Sequence, residues 1–200
     1  MTSWKFYDDN AERLFSDYIS LNFETIFNDI EKYIPTPPKK VLDVGAGSGR
    51  DASALADMGF NVVAIEPSKK MIELASAYHS SKNIYWIEDS LPRLVKLRNI
   101  SDEFDLILIS AVWMHLSVTE QHESLMTLKR LLSPSGKLII TLRLGPEEPD
   151  RGINKISTED LLNEANKIGL VSSYITSIKD DSFNRPQIKW QKVVLTKLIQ

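Results

Sequence analysis

The chain has 200 residues, no cysteine, 42% hydrophobic and 26% charged residues, and a net charge of −3. That length suits one domain with a sizeable core, and the missing cysteines exclude disulfides, cysteine-held zinc and a thiol nucleophile. No apolar run approaches the ~18 residues of a membrane span, "MTSWKFYDDNAERLF" lacks the apolar centre of a signal peptide, and mild acidity weighs against a phosphate backbone as partner. A cytoplasmic location is expected.

From the N-terminus, Leu14, Phe15, Tyr18, Ile19, Phe23, Ile26, Phe27 and Ile30 recur at threes and fours, which predicts helix over residues 1–34. "PTPP" at 35–38 ends that helical cap and separates it from a main unit, 39–200. "KKVLDV" then predicts a first strand, Arg50 to Met58 a helix, and "GFNVVAIE" a turn and second strand. Ser68 is placed to cap a helix through Ala77. "NIYWIED" and "FDLILIS" predict the third and fourth strands, Thr119 to Leu132 a helix ended by "SPSG", and "KLIITLRL" the fifth strand. A capped helix in "STEDLLNEANKIG" precedes two late strands, "LVSSYITSI" and "QKVVLTKL". Strands alternating with helices imply an α/β fold, a mostly parallel sheet covered on both faces. The last two strands have no helix between them and should pair antiparallel.

Ligands of such sheets bind beyond the carboxyl ends of the strands. The turn after the first strand carries Gly45, Gly47 and Gly49. It departs from the dinucleotide fingerprint, because Arg50 stands at the third glycine's place, and no phosphate-loop Gly-Lys-Ser/Thr follows. Asp43, two residues before the turn, would repel a pyrophosphate and favour an ammonium or sulfonium. Glu66 closes the second strand about 20 residues on, placed for ribose hydroxyls. Asp89 closes the third strand, where its carboxylate can meet an adenine amine and the Ser90 N–H a ring nitrogen; a helix N-cap is the other reading.

With these residues in order, the chain resembles a class I S-adenosylmethionine-dependent methyltransferase of the bacterial, small-molecule type. "VLDVGAGSG" resembles the family's first motif, "VVAIEPS" its ribose-binding strand end, "IEDSLPRL" its adenine motif, and "FDLILISAVWMHL" with "LKRLLSPSGKLIITL" its later strands. "GSGRDASAL", "LRLGPEEP" and "NRPQIKW" are similar to one bacterial subgroup of these enzymes. The resemblance implies a Rossmann-like seven-stranded sheet in the order 3-2-1-4-5-7-6, with strand 7 antiparallel. It implies S-adenosyl-L-methionine as cofactor, held by Asp43, Gly45, Ala46, Gly47, Gly49, Glu66, Pro67, Asp89, Ser90 and Ser110.

Methyl transfer needs a base only where the acceptor carries a proton at the working pH. His115, just past the fourth strand, is the candidate; packing on Trp113 or capping a helix is the alternative. Arg143, at the end of the fifth strand, can hold an acceptor carboxylate or phosphate, or make a structural ion pair. Arg50 and Asp51 can pair with neighbouring loops, and Arg185 and Trp190 can close the pocket. His79 and His122 read as outer helix surface. Tyr7 and the first helix can form a lid. No proline-clamped motif follows the fourth strand, and no spacing suggests a metal. A small-molecule acceptor methylated at oxygen or nitrogen is expected; protein or RNA methylation and cofactor binding without transfer are the other readings. Oligomeric state is left open.

Overall fold

A computed structural model describes residues 3–37, 39–98 and 103–198. The N-terminal stretch is three helices rather than one: α1 Ser3–Asp9, α2 Ala11–Ile19 and α3 Phe23–Phe27, followed by a 3-10 turn, Asn28–Tyr33. Asparagines make the breaks, because their side chains compete with the helix for backbone partners. The Asn10 amide donates to the Phe6 carbonyl, and the extended Asn22 accepts from the Thr25 N–H to start α3.

The main unit runs β1 Lys40–Val44, α4 Arg50–Asp57, β2 Asn61–Glu66, α5 Lys69–Tyr78, β3 Ile84–Glu88, β4 Phe104–Ile109, α6 Val118–Leu131, β5 Leu132–Leu144, α7 Thr158–Lys167, β6 Leu170–Ile175, β7 Lys179–Asp180 and β8 Lys189–Lys197. Ser68 and Ser157 cap α5 and α7 through the Met71 and Asp160 N–H groups. Ser117 and Glu120 form a reciprocal capping box on α6. The expected end of α6 in a "SPSG" loop is corrected. β5 begins at Leu132 directly, and a register shift against β4 between Phe104 and Leu106 absorbs the extra residues.

The sheet order is β3-β2-β1-β4-β5-β8-β6. β1 to β5 are parallel, and β8 lies antiparallel between β5 and β6. This is the expected order with β8 in seventh place; the two-residue β7, on β8, was not foreseen. Both faces are buried, as parallel strands require. Leu42, Val44, Ile107, Ile109 and Ile140 pack on Leu125, Leu128 and Leu161 of α6 and α7. Val41, Leu106, Leu108 and Ile139 pack on Ala52 and Leu55 of α4 and on Phe27 and Ile30. Ala11 and Leu14 of α2 share a smaller cluster with Met71 of α5, which docks the N-terminal helices over the carboxyl ends of the strands.

Candidate active site

The glycine turn is fixed from the adjacent strand. The Gly45 and Ala46 N–H groups both donate to the Ile65 carbonyl, at 2.8 and 2.9 Å. Gly45 has φ +75°, and a Cβ there would lie 2.2 Å from Val112 Cγ2, so the loop after β4 closes directly onto it. Gly49, also at φ +75°, sits against the Trp86 and His79 rings, 2.7 and 2.9 Å from an added Cβ. His79 is therefore not outer surface. It is 7% exposed, and its Nε2–H donates to the Ser48 carbonyl at 3.0 Å, bracing the turn from below. His122 does lie on the surface, paired with Glu164.

Glu66 is buried at the end of β2, where Oε2 accepts from the Gly47 N–H and Oε1 from the Ser68 N–H, both at 2.9 Å. Burial pushes its pKa up to about 7 despite those two amides. Each oxygen keeps a lone pair for a ribose hydroxyl. Asp43 is 1% exposed and neither carboxylate oxygen has a hydrogen-bond partner. Burial, and then the charge of Asp51, push its pKa well above the carboxylate range. Arg50 offsets this only partly, because its guanidinium is bound in a fork to Asp51 at 2.6 and 2.8 Å. Those two residues pair with each other rather than with neighbouring loops.

One cavity of about 870 Å³ extends over this turn to the end of β5. Gly45, Ala46, Gly47, Glu66, Pro67, Asp89, Ser90 and Ser110 line it. Asp43 and Gly49 do not line it, and Asp43, 1% exposed, would act on a ligand without contact, by ionising when a cation binds nearby. Asp89 folds back on its own turn, accepting from the Ser90 N–H at 2.8 Å and the Lys96 N–H at 2.7 Å. The Ser90 N–H expected to meet adenine is thereby occupied, whereas the Asp89 oxygens retain free lone pairs.

At the other end of the cavity stands His115. Its Nδ1 lies 3.0 Å from the Gly152 carbonyl, which can only accept, so the proton is on Nδ1. Nε2 is then the acceptor, 2.9 Å from the Tyr7 hydroxyl of α1. Burial holds the His115 pKa below its ordinary value, so the ring is neutral at pH 7. Burial, then Tyr18, raise that of Tyr7. The next residue, Asp8, accepts from Ser68 Oγ at 2.7 Å and from the Lys70 N–H at 3.2 Å. The N-terminal helix is thus tied at both the histidine and the ribose end. Arg143 is 2% exposed and donates to the Pro146 carbonyl, at 3.0 Å, and to Glu148 Oε1. It makes an ion pair, but one that it shares with a second arginine. Arg151 donates to the second oxygen of Glu148 at 2.9 Å. Asp181 accepts from Arg185 at 2.7 and 2.8 Å and from Trp190 Nε1 at 2.8 Å. Asp8, Glu148 and Arg151 were missed in the sequence; their loop and terminal positions carry no periodic signal. No group of three or more metal-ligating side chains occurs among the described residues.

These features fit S-adenosylmethionine: a carboxyl with free lone pairs at the ribose position, a buried carboxyl below the turn that a cationic ligand would ionise, and a cavity of small-molecule size. Residues 42–140 match the family model described as a methyltransferase domain. The chain belongs with the class I S-adenosylmethionine-dependent methyltransferases. It is 31% identical over 126 residues to a ubiquinone biosynthesis O-methyltransferase of Rickettsia conorii, a match covering 62% of this chain and 39% of that one. The chain spans about half or less of the length of the curated relatives it matches. Its fold is similar to that of a TehB-like methyltransferase of Corynebacterium glutamicum, with a TM-score of 0.68, 22% identity and coverage of 96% and 97% of the two chains. It is also similar to magnesium protoporphyrin IX methyltransferase of Synechocystis, crystallised with S-adenosylhomocysteine, with a TM-score of 0.73, 14% identity and coverage of 96% and 97%.

Proposed function

We propose that this methyltransferase domain transfers a methyl group to an oxygen or nitrogen of a small molecule, with His115 as base. The observation that carries this reading is the single cavity joining Glu66 and the glycine turn to a neutral His115 whose Nε2 faces Tyr7. When bound, S-adenosylmethionine supplies a methyl group already activated by its sulfonium. What this chain adds is position and a proton path. Glu66 and Asp89 would hold ribose and adenine, and the Gly45–Gly49 turn, with Asp43 below it, would receive the cationic amino-acid end. The Tyr7 oxygen takes the acceptor's proton as its own hydroxyl proton passes to His115 Nε2. The Gly152 carbonyl keeps Nδ1–H in place, so the ring ends with both protons hydrogen-bonded. Such general-base assistance is worth about 10²–10⁴-fold in rate.

The relatives' names favour a small acceptor, since ubiquinone precursors and magnesium protoporphyrin are small molecules by those names. The acceptor is sought by incubating the protein with S-adenosylmethionine and pools of small hydroxy and amino compounds, reading products by mass spectrometry. A methylated product formed by the native chain, and formed about 10²-fold or more slowly by His115→Gln, supports the reading. Cofactor binding with no product from any pool would leave a binding module.

A further inference from the structure

The acceptor half of the cavity holds more charge than the proposed transfer uses. Lys192 is matched by Asp29, at 3.0 Å, Arg185 by Asp181 and Asp180 by Lys189, and Lys179 and Glu120, which also line the cavity, cancel in charge. Arg143 and Arg151 are not matched one to one. They share Glu148, one guanidinium on each oxygen, so the trio carries one net positive charge. The Nε–H of each arginine is buried and has no hydrogen-bond partner. Those two donors have no accessible surface, so a ligand in the cavity would meet the rest of the Arg151 guanidinium, whose side chain is 24% exposed, while Arg143, 2% exposed, acts chiefly through its charge; both arginines line the cavity and Glu148 does not. Arg151 also acts electrostatically on Tyr7 and Tyr18, which puts the excess charge beside the Tyr7–His115 pair.

We propose that the methyl acceptor bears a carboxylate and that Arg143 and Arg151, spaced by Glu148, anchor it next to Tyr7. This deepens the proposed transfer reaction and rests on it. A carboxylate matches the site better than a phosphate monoester for two reasons. Its charge of minus one equals the excess, whereas a phosphate carries about −1.5 to −2. Its flat pair of oxygens also suits a guanidinium edge. The cofactor's own carboxylate belongs elsewhere: Arg143 ends β5, two strands from the glycine turn at β1, with β4 between.

The test uses the full chain saturated with S-adenosylhomocysteine and titrated calorimetrically with benzoate, its neutral analogue benzamide, and inorganic phosphate. Benzoate should bind at least tenfold more tightly than the other two. Arg151→Gln should weaken benzoate tenfold or more and leave S-adenosylhomocysteine affinity within twofold. Glu148→Gln, which doubles the excess charge, should tighten benzoate several-fold. Benzamide binding as well as benzoate would overturn the proposal, and so would preference for phosphate. A tenfold loss of S-adenosylhomocysteine affinity in Arg151→Gln would assign the pair to the cofactor instead. Failure to find any methylated product would strike the transfer reaction alone and leave these binding results standing.

Discussion

Glu66 offers a test of the cofactor half that needs no acceptor. In the unliganded protein its pKa stands at about 7, against an ordinary 4.5, because burial outweighs the Gly47 and Ser68 amides. Between those two values the native state holds a proton that the unfolded chain has released, so stability falls as pH rises. The stabilisation is complete below 4.5 and is lost through about 7. At 1.36 kcal/mol per pH unit the whole interval amounts to roughly 3 kcal/mol. Asp43, whose pKa burial also raises, adds to this slope, while His79 and His115, whose pKa values burial lowers, contribute the opposite slope below 6.5, so the variant Glu66→Gln must isolate the effect. Glutamine cannot titrate, and it turns an amide donor toward one backbone N–H, which costs about 1–3 kcal/mol at every pH. Urea unfolding of both proteins from pH 4.5 to 8 should show the native advantage shrinking by roughly 3 kcal/mol across the range. Ribose hydroxyls donate to the ionised form, so saturating S-adenosylhomocysteine should flatten the native curve. Parallel curves for the two unliganded proteins would refute the burial argument, and an unaltered native slope with ligand would remove Glu66 from the ribose.

Other outcomes follow from neighbouring contacts. Gly45→Ala meets both a positive φ and Val112 Cγ2 at 2.2 Å, so it should lose about 2–4 kcal/mol in urea unfolding, with part regained on adding Val112→Ala; an unaffected midpoint would contradict the close approach. Asp43→Asn removes a buried carboxylate that has no partner, so at pH 8 the unliganded protein should be at least as stable while S-adenosylhomocysteine binds about tenfold more weakly, about 1.4 kcal/mol. A destabilised variant with unchanged affinity would mean that the charge serves the fold alone. Turnover of the native enzyme should fall as pH drops through the lowered pKa of His115, and this acid limb should vanish in His115→Gln; Tyr7→Phe should reduce turnover at least tenfold with a smaller change in cofactor affinity. Persistence of the limb in His115→Gln would exclude His115 as base.

How much was legible in the sequence followed the range of the interactions. The strands, the Ser68 cap and the Gly45–Gly49 turn depend on local pattern and backbone conformation, so residue types reveal them; the strand order came from the family resemblance. The α6 capping box, Ser117 followed three residues on by Glu120, is just as local but was not among the features read. His79 was misread because it ends α5, where helical periodicity no longer says which way a side chain faces; the close approach to Gly49 decides that. The breaks at Asn10 and Asn22 were hidden by apolar spacing that runs straight through them. Nothing local marks the Tyr7–His115 contact, which joins residues 108 positions apart. Nor does it mark the sharing of Glu148 by two arginines, which depends on how one loop after β5 closes.

The same division gives the site its electrostatic logic. The half built from local backbone pattern is acidic: Glu66 and Asp89 on the wall, Asp43 buried below the turn with no partner of its own. The half built from distant contacts has an excess cation, because Arg143 and Arg151 share one carboxylate. On the proposed reading a cationic donor would be drawn to one end and an anionic acceptor to the other, which would orient the two without a contact to the reacting atoms. If His115 takes the acceptor's proton as proposed, transfer from a sulfonium to the resulting nucleophile would be a step in which charge is lost. A medium poor in water favours that step, since less solvation is surrendered on the way to products. Tyr7 is buried against His115, and Asp8 fastens the same helix to Ser68 beside the ribose position. On that mechanism the N-terminal helix would keep water from the point where charge disappears while Tyr7 supplies the hydroxyl through which the proton leaves.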